Sequence, residues 1–353
     1  MKTAHIAIHT VALFLAGACT QPESNDTDVT IADPSTEPFV GKTLVEPLWI
    51  ATQSDGADLE EPNELAFDPS GRLWAGDVER LAVDIFDLEG DWIATIGGEG
   101  DEPGQFSRPD DDRKFGPESI HVNEEEAFVV DRGGRRIHVY DTETFAWIRT
   151  LNSPRLMDPT GLAIDSQQTL YVADQELNAI LVFSPDGSYL STFQTIDSSG
   201  APILRKTETL ALIEDLDLAF ATSEDEALIE VFVLSTGAYT GHSIGDSQDG
   251  PVPEKGRYAD DIEGIAIDPH SGLLYTSDEE NGRVMVHDLE DLGTLFSPDQ
   301  DFGFLSAFGT RGALPGQLKS ADGITVARDG RIAIADQGNH RLQVFDDQRV
   351  LSD

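Results

Sequence analysis

The chain has 353 residues, of which 66 are acidic and 23 basic, giving a formal net charge of −43 at pH 7. This balance excludes nucleic acid as a partner, because binding to a phosphate backbone needs a basic face. A single cysteine excludes an internal disulfide. Most of the acid is expected to keep the surface solvated. The informative acids are therefore those that recur at defined positions.

Residues 1–19 predict an export signal. They combine a lysine, a short apolar run and small residues before Cys19, and the run is too short to span a bilayer. Leu15-Ala16-Gly17-Ala18-Cys19 resembles a bacterial lipobox, which implies a lipid on Cys19. Ala16 stands where that motif usually has leucine, so simple cleavage after Ala18 stays open. The protein is expected in the periplasm or on the outer surface, attached to a membrane only through this lipid.

Residues 20–43 are polar, acidic and contain prolines, which predicts a flexible tether. The domain that follows, 44–353, consists of repeats. Its clearest copy, 320–346, predicts three antiparallel strands, DGITVA, RIAIAD and HRLQVFD, separated by turns with Gly and Asn. Further copies occupy 64–77, 118–131, 161–174, 263–278 and, without the turn glycine, 209–225.

A fourth strand usually follows each copy, so the chain contains six four-stranded units. Radial repetition of such units predicts an all-β fold, a six-bladed β-propeller, which we expect to be monomeric. The segment LVEPLWIATQ (44–53) has the pattern of a fourth strand but precedes the first copy. We therefore expect it to pair with 341–346 as the outer strand of the last blade, which leaves no long open edge.

The connection GGEGDEPGQFSRP (97–109), its twin GTRGALPGQLKSADG (309–323) and the run at 336–345 resemble the NHL-repeat family of six-bladed propellers. The resemblance extends over most of residues 45–350. It implies the fold, but the same scaffold serves enzymes and pure binders, so the function has to be argued from the site.

Two further residue types recur in the repeats. Aspartates end the second strand of nearly every copy, which predicts a structural role in the turn: Asp77, Asp131, Asp174, Asp278 and Asp336. Arginines precede the third strand of three copies and are expected to bridge to neighbouring blades: Arg136, Arg283 and Arg341.

The innermost strand of each blade should begin at one mouth of the central channel. The residues at these six starts carry only oxygen donors: Asn63, Glu118, Thr160, Glu208, Glu263 and Asp322. Crowded carboxylates raise one another's pKa unless a cation neutralises them, and calcium accepts six to eight oxygen ligands. The pattern predicts a calcium site with five ligands: Asn63, Glu118, Glu208, Glu263 and Asp322. An acidic, water-filled channel without a site is the alternative.

Basic residues recur just upstream of these acids. Four of them are predicted to bind an anionic substrate beside the metal: Lys114, Lys206, Arg257 and Lys319. Local pairing with the neighbouring acids is the competing interpretation.

Residues 258–288, with the later Asp322-Gly-Ile start, resemble the β-propeller phytases, which are calcium-dependent phosphatases. Asp260, Asp261, Glu263 and Asp322 fall on the pattern of that family. The resemblance covers only the last two blades and implies hydrolysis of a phosphate ester, with no catalytic residue assigned.

Two other functions remain open. EPNELAFDPSGRLW (61–74) and ADGITV resemble, more weakly, the senescence-marker and gluconolactonase-type propellers, which implies a lactonase with Asn63 and Asp322 among its metal ligands. The third possibility is a propeller without catalysis that binds a small molecule, peptide or protein at the channel mouth.

Overall fold

The computed structural model describes residues 45–109, 115–223, 227–245, 262–268, 270–289 and 304–351. Within these ranges the chain forms six four-stranded antiparallel sheets and one small hairpin. The predicted export signal with Cys19 and the tether 20–43 lie outside the described residues. No helix in the described part is both long and apolar enough to cross a membrane.

The chain begins with the outer strand of the last blade, continues through blades 1 to 5, and ends with the three inner strands of the last blade. The first segment contains β1 (Trp49–Ala51) and the hairpin β2 (Gln53–Ser54) and β3 (Ala57–Asp58). Blade 1 contains β4 (Pro62–Phe67), β5 (Leu73–Asp77), β6 (Ala82–Phe86) and β7 (Trp92–Gly97). Blade 2 contains β8 (Pro117–Val122), β9 (Glu126–Asp131), β10 (Arg136–Asp141) and β11 (Trp147–Asn152). Blade 3 contains β12 (Pro159–Ile164), β13 (Leu170–Asp174), β14 (Ala179–Phe183) and β15 (Tyr189–Thr192).

The second half of the ring repeats this order. Blade 4 contains β16 (Leu210–Ile213), a 3-10 turn (Glu214–Leu216), β17 (Leu218–Ser223), β18 (Leu228–Val233) and β19 (Ala238–Gly245). Blade 5 contains β20 (Ile262–Ile267), β21 (Leu273–Asp278), β22 (Arg283–Asp288) and β23 (Phe304–Phe308). Blade 6 contains β24 (Ala321–Val326), β25 (Arg331–Asp336), a 3-10 turn (Gln337–Asn339) and β26 (Arg341–Asp346), followed by the short helix Asp347–Leu351.

The predicted closure of the ring is confirmed. β1 pairs antiparallel with β26, with Trp49 opposite Val344 and Ala51 opposite Leu342, and it completes the sheet of blade 6. The strand is shorter than the segment 44–53, because the chain turns after Ala51 into the hairpin of β2 and β3. One sheet therefore joins two distant parts of the sequence.

The hydrophobic core lies in the seams between blades. Strands of alternating pattern bury both faces of a blade against its neighbours, so the described apolar side chains fall into six clusters, each shared by two adjacent blades. In the seam between blades 5 and 6, Phe308 and Phe345 stack edge to face with ring centroids 5.4 Å apart. Removing one blade would expose two seams, so the ring is expected to unfold as a unit.

The strand-end aspartates hold the loops at one end of the propeller. In blade 6 the Asp336 carboxylate accepts hydrogen bonds from the Lys319 backbone N–H at 2.7 Å and from Arg341 Nε at 2.6 Å. Because Lys319 belongs to the loop that enters β24, this carboxylate fixes where the innermost strand begins. In blade 4 the hydroxyl of Ser223 takes the same place and accepts from the Arg205 backbone N–H at 2.9 Å.

The arginines that begin the third strands bind the loop that connects two blades. Arg341 binds Asp336 of its own blade and donates to the carbonyl oxygens of Leu314 and Gln317, at 2.9 and 2.8 Å, in the loop that arrives from blade 5. Arg136 repeats this arrangement with Asp131 and the Gln105 carbonyl oxygen. The predicted bridge therefore runs to the connecting loop.

Closure gives the first testable prediction. A chain that starts at residue 54 should unfold at a lower temperature than a chain that starts at residue 44, because it loses β1 and leaves the edge of β26 unpaired. Circular dichroism during heating measures both midpoints. The chain that starts at 44 is the matched control, and equal midpoints would contradict closure by β1.

Candidate functional site

The six innermost strands begin around one mouth of the channel. In five blades the pairing between the first and second strand shifts register at this point, between Pro62 and Leu65 in blade 1 and at the equivalent places of blades 2, 3, 5 and 6. Such a bulge re-aims the side chains that follow it. In these five blades the predicted ring position comes directly after the first residue of the shift, and in blades 2, 3, 5 and 6 its side chain faces the axis.

These side chains surround a small acidic chamber. A cavity of about 170 Å³ is lined by seven residues: Glu64, Glu118, Arg132, Thr160, Glu208, Glu263 and Asp322. Five of the six predicted ring positions are among them. The structure thus brings together four predicted carboxylates and one predicted hydroxyl; whether they bind metal stays a prediction.

Asn63 does not line the chamber. Its side chain is 3% exposed, and its Nδ2 donates to Glu118 Oε2 at 3.1 Å. The next residue, Glu64, takes its place in the lining. Blade 1 therefore contributes the residue after the predicted ring position, and Asn63 supports the ring from behind by orienting Glu118.

Arg132 is the basic residue of the lining, and its guanidinium already pairs with two carboxylates. Its Nε and Nη2 donate to the two carboxylate oxygens of Asp158 at 2.7 and 2.9 Å, and Nη1 contacts Glu118 at 3.3 Å. The guanidinium also lies over the Phe115 ring, 5.3 Å from its centroid. Burial would lower the pKa of Arg132, but the hydrogen bond to Asp158 and the charge of Glu118 outweigh it and raise the pKa.

A second set of side chains holds the ring acids in place. These residues directly follow the strand-end aspartates. Gln337 Nε2 donates to Asp322 at 2.8 Å, and Gln175 Nε2 donates to Glu208. Sequence reasoning missed this set and Arg132, although a signal exists: each follows the aspartate that ends the second strand. Amides orient a carboxylate without neutralising it.

The chamber is electrostatically strained. Burial, and then the charge of Glu118, raise the pKa of Glu64 to about 8. Burial, followed by the charges of Glu64, Glu118 and Glu208, raises the pKa of Asp322 well above its usual range. Burial also raises the pKa of Glu118 despite the opposing charge of Arg132. At neutral pH Glu64 therefore retains its proton unless a cation replaces it.

The two predicted substrate bases that the structure describes do not line this chamber. Lys206 and Lys319 are described, and each has its backbone N–H bonded to a loop side chain, Asn178 and Asp336 respectively. Neither contributes to the lining of the chamber. Lys114 and Arg257 lie outside the described residues, as do Asp260 and Asp261 of the phytase-like pattern.

The oxygen atoms of the lining are suitable ligands for a hard cation, but the carboxylates are too far apart to bind one directly as they stand. Apart from Arg132, the lining side chains offer only oxygen atoms as possible metal ligands, and oxygen ligands suit calcium. Yet no three His, Cys, Asp or Glu side chains in the described ranges lie close enough together to hold a metal ion as they stand. Direct coordination by three carboxylates would therefore require them to move inward. With smaller movements, an ion could retain part of its water shell.

Comparison with known proteins identifies the fold. Residues 318–345 match the NHL repeat. A segment is 35% identical over 88 residues to the B-box type zinc finger protein ncl-1 of Caenorhabditis elegans, covering 23% of this chain and 10% of that protein. The matched segment therefore covers about a tenth of the length of this relative.

Solved structures agree on the architecture. A Bacteroides thetaiotaomicron protein of unknown function superposes with a TM-score of 0.61 at 14% identity, covering 84% of this chain and 74% of the other. Hydrazine synthase of Kuenenia stuttgartiensis superposes with a TM-score of 0.58 at 13% identity, covering 84% and 99%. At such identities the likeness concerns the fold alone. The chain is a six-bladed β-propeller with an NHL repeat in its last blade.

The raised pKa of Glu64 predicts how stability depends on pH. The folded state keeps a proton on Glu64 up to about pH 8, whereas the unfolded chain releases it near 4.5. Stability should therefore fall as pH rises between these values, because the folded state binds more protons. Glu64→Gln removes this loss and should be more stable than the wild type at pH 8 by about 1–3 kcal/mol, with little difference at pH 4.

Urea denaturation in the presence of a chelator measures this difference. Glu102→Gln, on an exposed loop, is the matched control and should follow the wild type at both pH values. A Glu64→Gln variant that gains no stability at pH 8 would show that Glu64 is not a strained member of the chamber.

Proposed function

We propose that this NHL-repeat propeller is a cation-binding protein whose axial chamber takes calcium. One observation carries the proposal. Five carboxylates surround a cavity of about 170 Å³, and the arginine that shares the cavity is engaged by Asp158 and Glu118. Among the described lining residues one arginine thus faces five carboxylates, and a divalent ion would reduce the repulsion that raises the pKa of Glu64.

Four predicted acids would hold the ion: Glu118, Glu208, Glu263 and Asp322. Glu64 would join them in place of Asn63, which supports the ring from behind. Thr160 is a poorer ligand, since its Oγ1 already donates to the Thr207 carbonyl oxygen at 2.9 Å. When bound, the ion would supply positive charge that stabilises the ionised carboxylates, so uptake should release protons near neutral pH.

Binding explains the described chamber better than phosphate-ester hydrolysis does. An anionic substrate would meet five carboxylates at this mouth. Among the bases predicted to offset them, Lys206 and Lys319 do not line the cavity. The lactonase alternative is also weakened, because only Asp322 of its pair Asn63 and Asp322 faces the chamber. We therefore assign the chamber to cation capture without catalysis.

Calcium binding by the chamber is consistent with an exported protein. We propose that the signal in residues 1–19 exports the protein and that Cys19 carries its lipid. Extracellular modules bind calcium with dissociation constants of about 10⁻⁴–10⁻³ M. A chamber whose acids must give up protons and move inward is suited to this range.

Calorimetric titration with calcium tests the proposal. The wild type should bind calcium with a dissociation constant of about 0.1–1 mM and release protons at pH 7. Glu263→Gln preserves the side-chain shape but removes a charge from the ring, so its affinity should fall by about tenfold. Glu102→Gln is a matched control outside the chamber and should bind as the wild type does.

Two results would overturn the proposal: no heat of binding at millimolar calcium, or equal affinity of the wild type and Glu263→Gln. The same titration, monitored with a phosphate monoester present, separates binding from the hydrolase prediction. Calcium-dependent phosphate release would assign catalysis to the protein.

A further inference from the structure

A second cavity lies at the seam of blades 2 and 3, beside the acidic chamber. It has a volume of about 350 Å³, within the range of small-molecule pockets. Six of its residues matter here: Phe115, Arg132, Arg135, Met157, Asp158 and Glu176. Arg132 lines both cavities and separates them.

Arg135 is the residue that sets this pocket apart. It is exposed, and within the described residues its side chain has no hydrogen-bond or ion-pair partner. The neighbouring arginines that the structure describes are engaged: Arg132 with Asp158, Arg136 with Asp131 and Arg108 with Glu79. In a chain of net charge −43, an arginine without a carboxylate partner at a cavity wall is available to an external anion.

The backbone holds Arg135 at this wall. Its φ of 53° is in the left-handed region, at the turn between β9 and β10, and its N–H donates to the Arg132 carbonyl oxygen at 3.1 Å. The turn thus presents the guanidinium beside the seam.

The rest of the pocket selects the kind of anion. Phe115 and Met157 provide apolar surface, and Met157 is 38% exposed, which is high for a long apolar side chain. Asp158 is neutralised by its two bonds to Arg132, but Glu176 is exposed at the rim. One free guanidinium beside a carboxylate favours an anion of single charge over a dianion. A guanidinium also matches the two oxygens of a carboxylate.

We propose that the pocket between blades 2 and 3 binds an organic monocarboxylate with an apolar body, with Arg135 pairing the carboxylate and Phe115 and Met157 contacting the body. The inference goes beyond cation capture and does not depend on it, since Arg135 lies outside the chamber. It adds an anion subsite where sequence patterns had nominated other bases.

Ligand-observed NMR titration with 3-phenylpropionate tests this subsite. The wild type should bind the acid in the millimolar range, and its uncharged amide at least tenfold more weakly. Arg135→Gln should weaken binding of the acid by about 10- to 100-fold, the loss expected for a charge-assisted hydrogen bond. Because Arg135 is exposed, the variant should keep the melting midpoint of the wild type. Arg328→Gln, another exposed arginine outside this pocket, should bind as the wild type does.

Three results would overturn the proposal: no binding by the wild type, equal binding by Arg135→Gln, or phenyl phosphate binding as tightly as the acid. Repeating the titration with a chelator separates the two sites. Binding that survives the chelator but requires Arg135 supports the anion subsite even if the chamber takes no calcium.

Discussion

The mouth of this propeller depends on the buried carboxylate that ends the second strand in five of the six blades. Asp336 binds the loop that enters β24, the arginine that opens β26 and the amide of Gln343, at 2.6–2.9 Å. A charge with no exposed surface is tolerated only when such partners surround it. An equivalent bond to the entering loop is described in blades 1, 2, 3 and 6, and in blade 4 with Ser223 as the acceptor, so it fixes five described strand starts around one axis. The ring of acids is a consequence of that repetition.

Two kinds of carboxylate therefore lie in the same loops, and they differ in their hydrogen-bond partners. The strand-end acids are satisfied by backbone N–H groups and arginines, and they build the scaffold. The ring acids have few donors and crowd one another, so burial and mutual repulsion raise the pKa of Glu64 and Asp322. The repulsion among the ring acids lowers the stability of the folded state, and a bound cation would raise it again. Arg132 marks the boundary, because it neutralises Asp158 in the loop and touches Glu118 in the ring.

Much of the architecture could be predicted from the sequence, because each repeat carries its own strand pattern, turn residues and terminal aspartate. Closure by β1 could be predicted too, since the last repeat lacked an outer strand. The lining of the chamber was harder. In blade 1 the chamber is lined by Glu64 and not by the predicted Asn63, although the register shift is the same as in blades 2, 3, 5 and 6, so the repeat pattern alone could not show the exchange. The sequence also could not show where a loop side chain points. Lys206 and Lys319 are close to ring acids in sequence, yet neither lines the chamber.

The most direct test of this account compares the free energies of unfolding of Asp336→Ala and Asp329→Ala by urea denaturation. Asp336 is fully buried and binds the loop that enters β24 together with Arg341 and Gln343 of β26, so its loss should cost about 3–5 kcal/mol, as for other broken buried ion pairs. Asp329 also pairs with an arginine, but its side chain is 58% exposed, and its loss should cost about 1 kcal/mol or less. If the two variants lose equal stability, the strand-end aspartates do not organise the mouth.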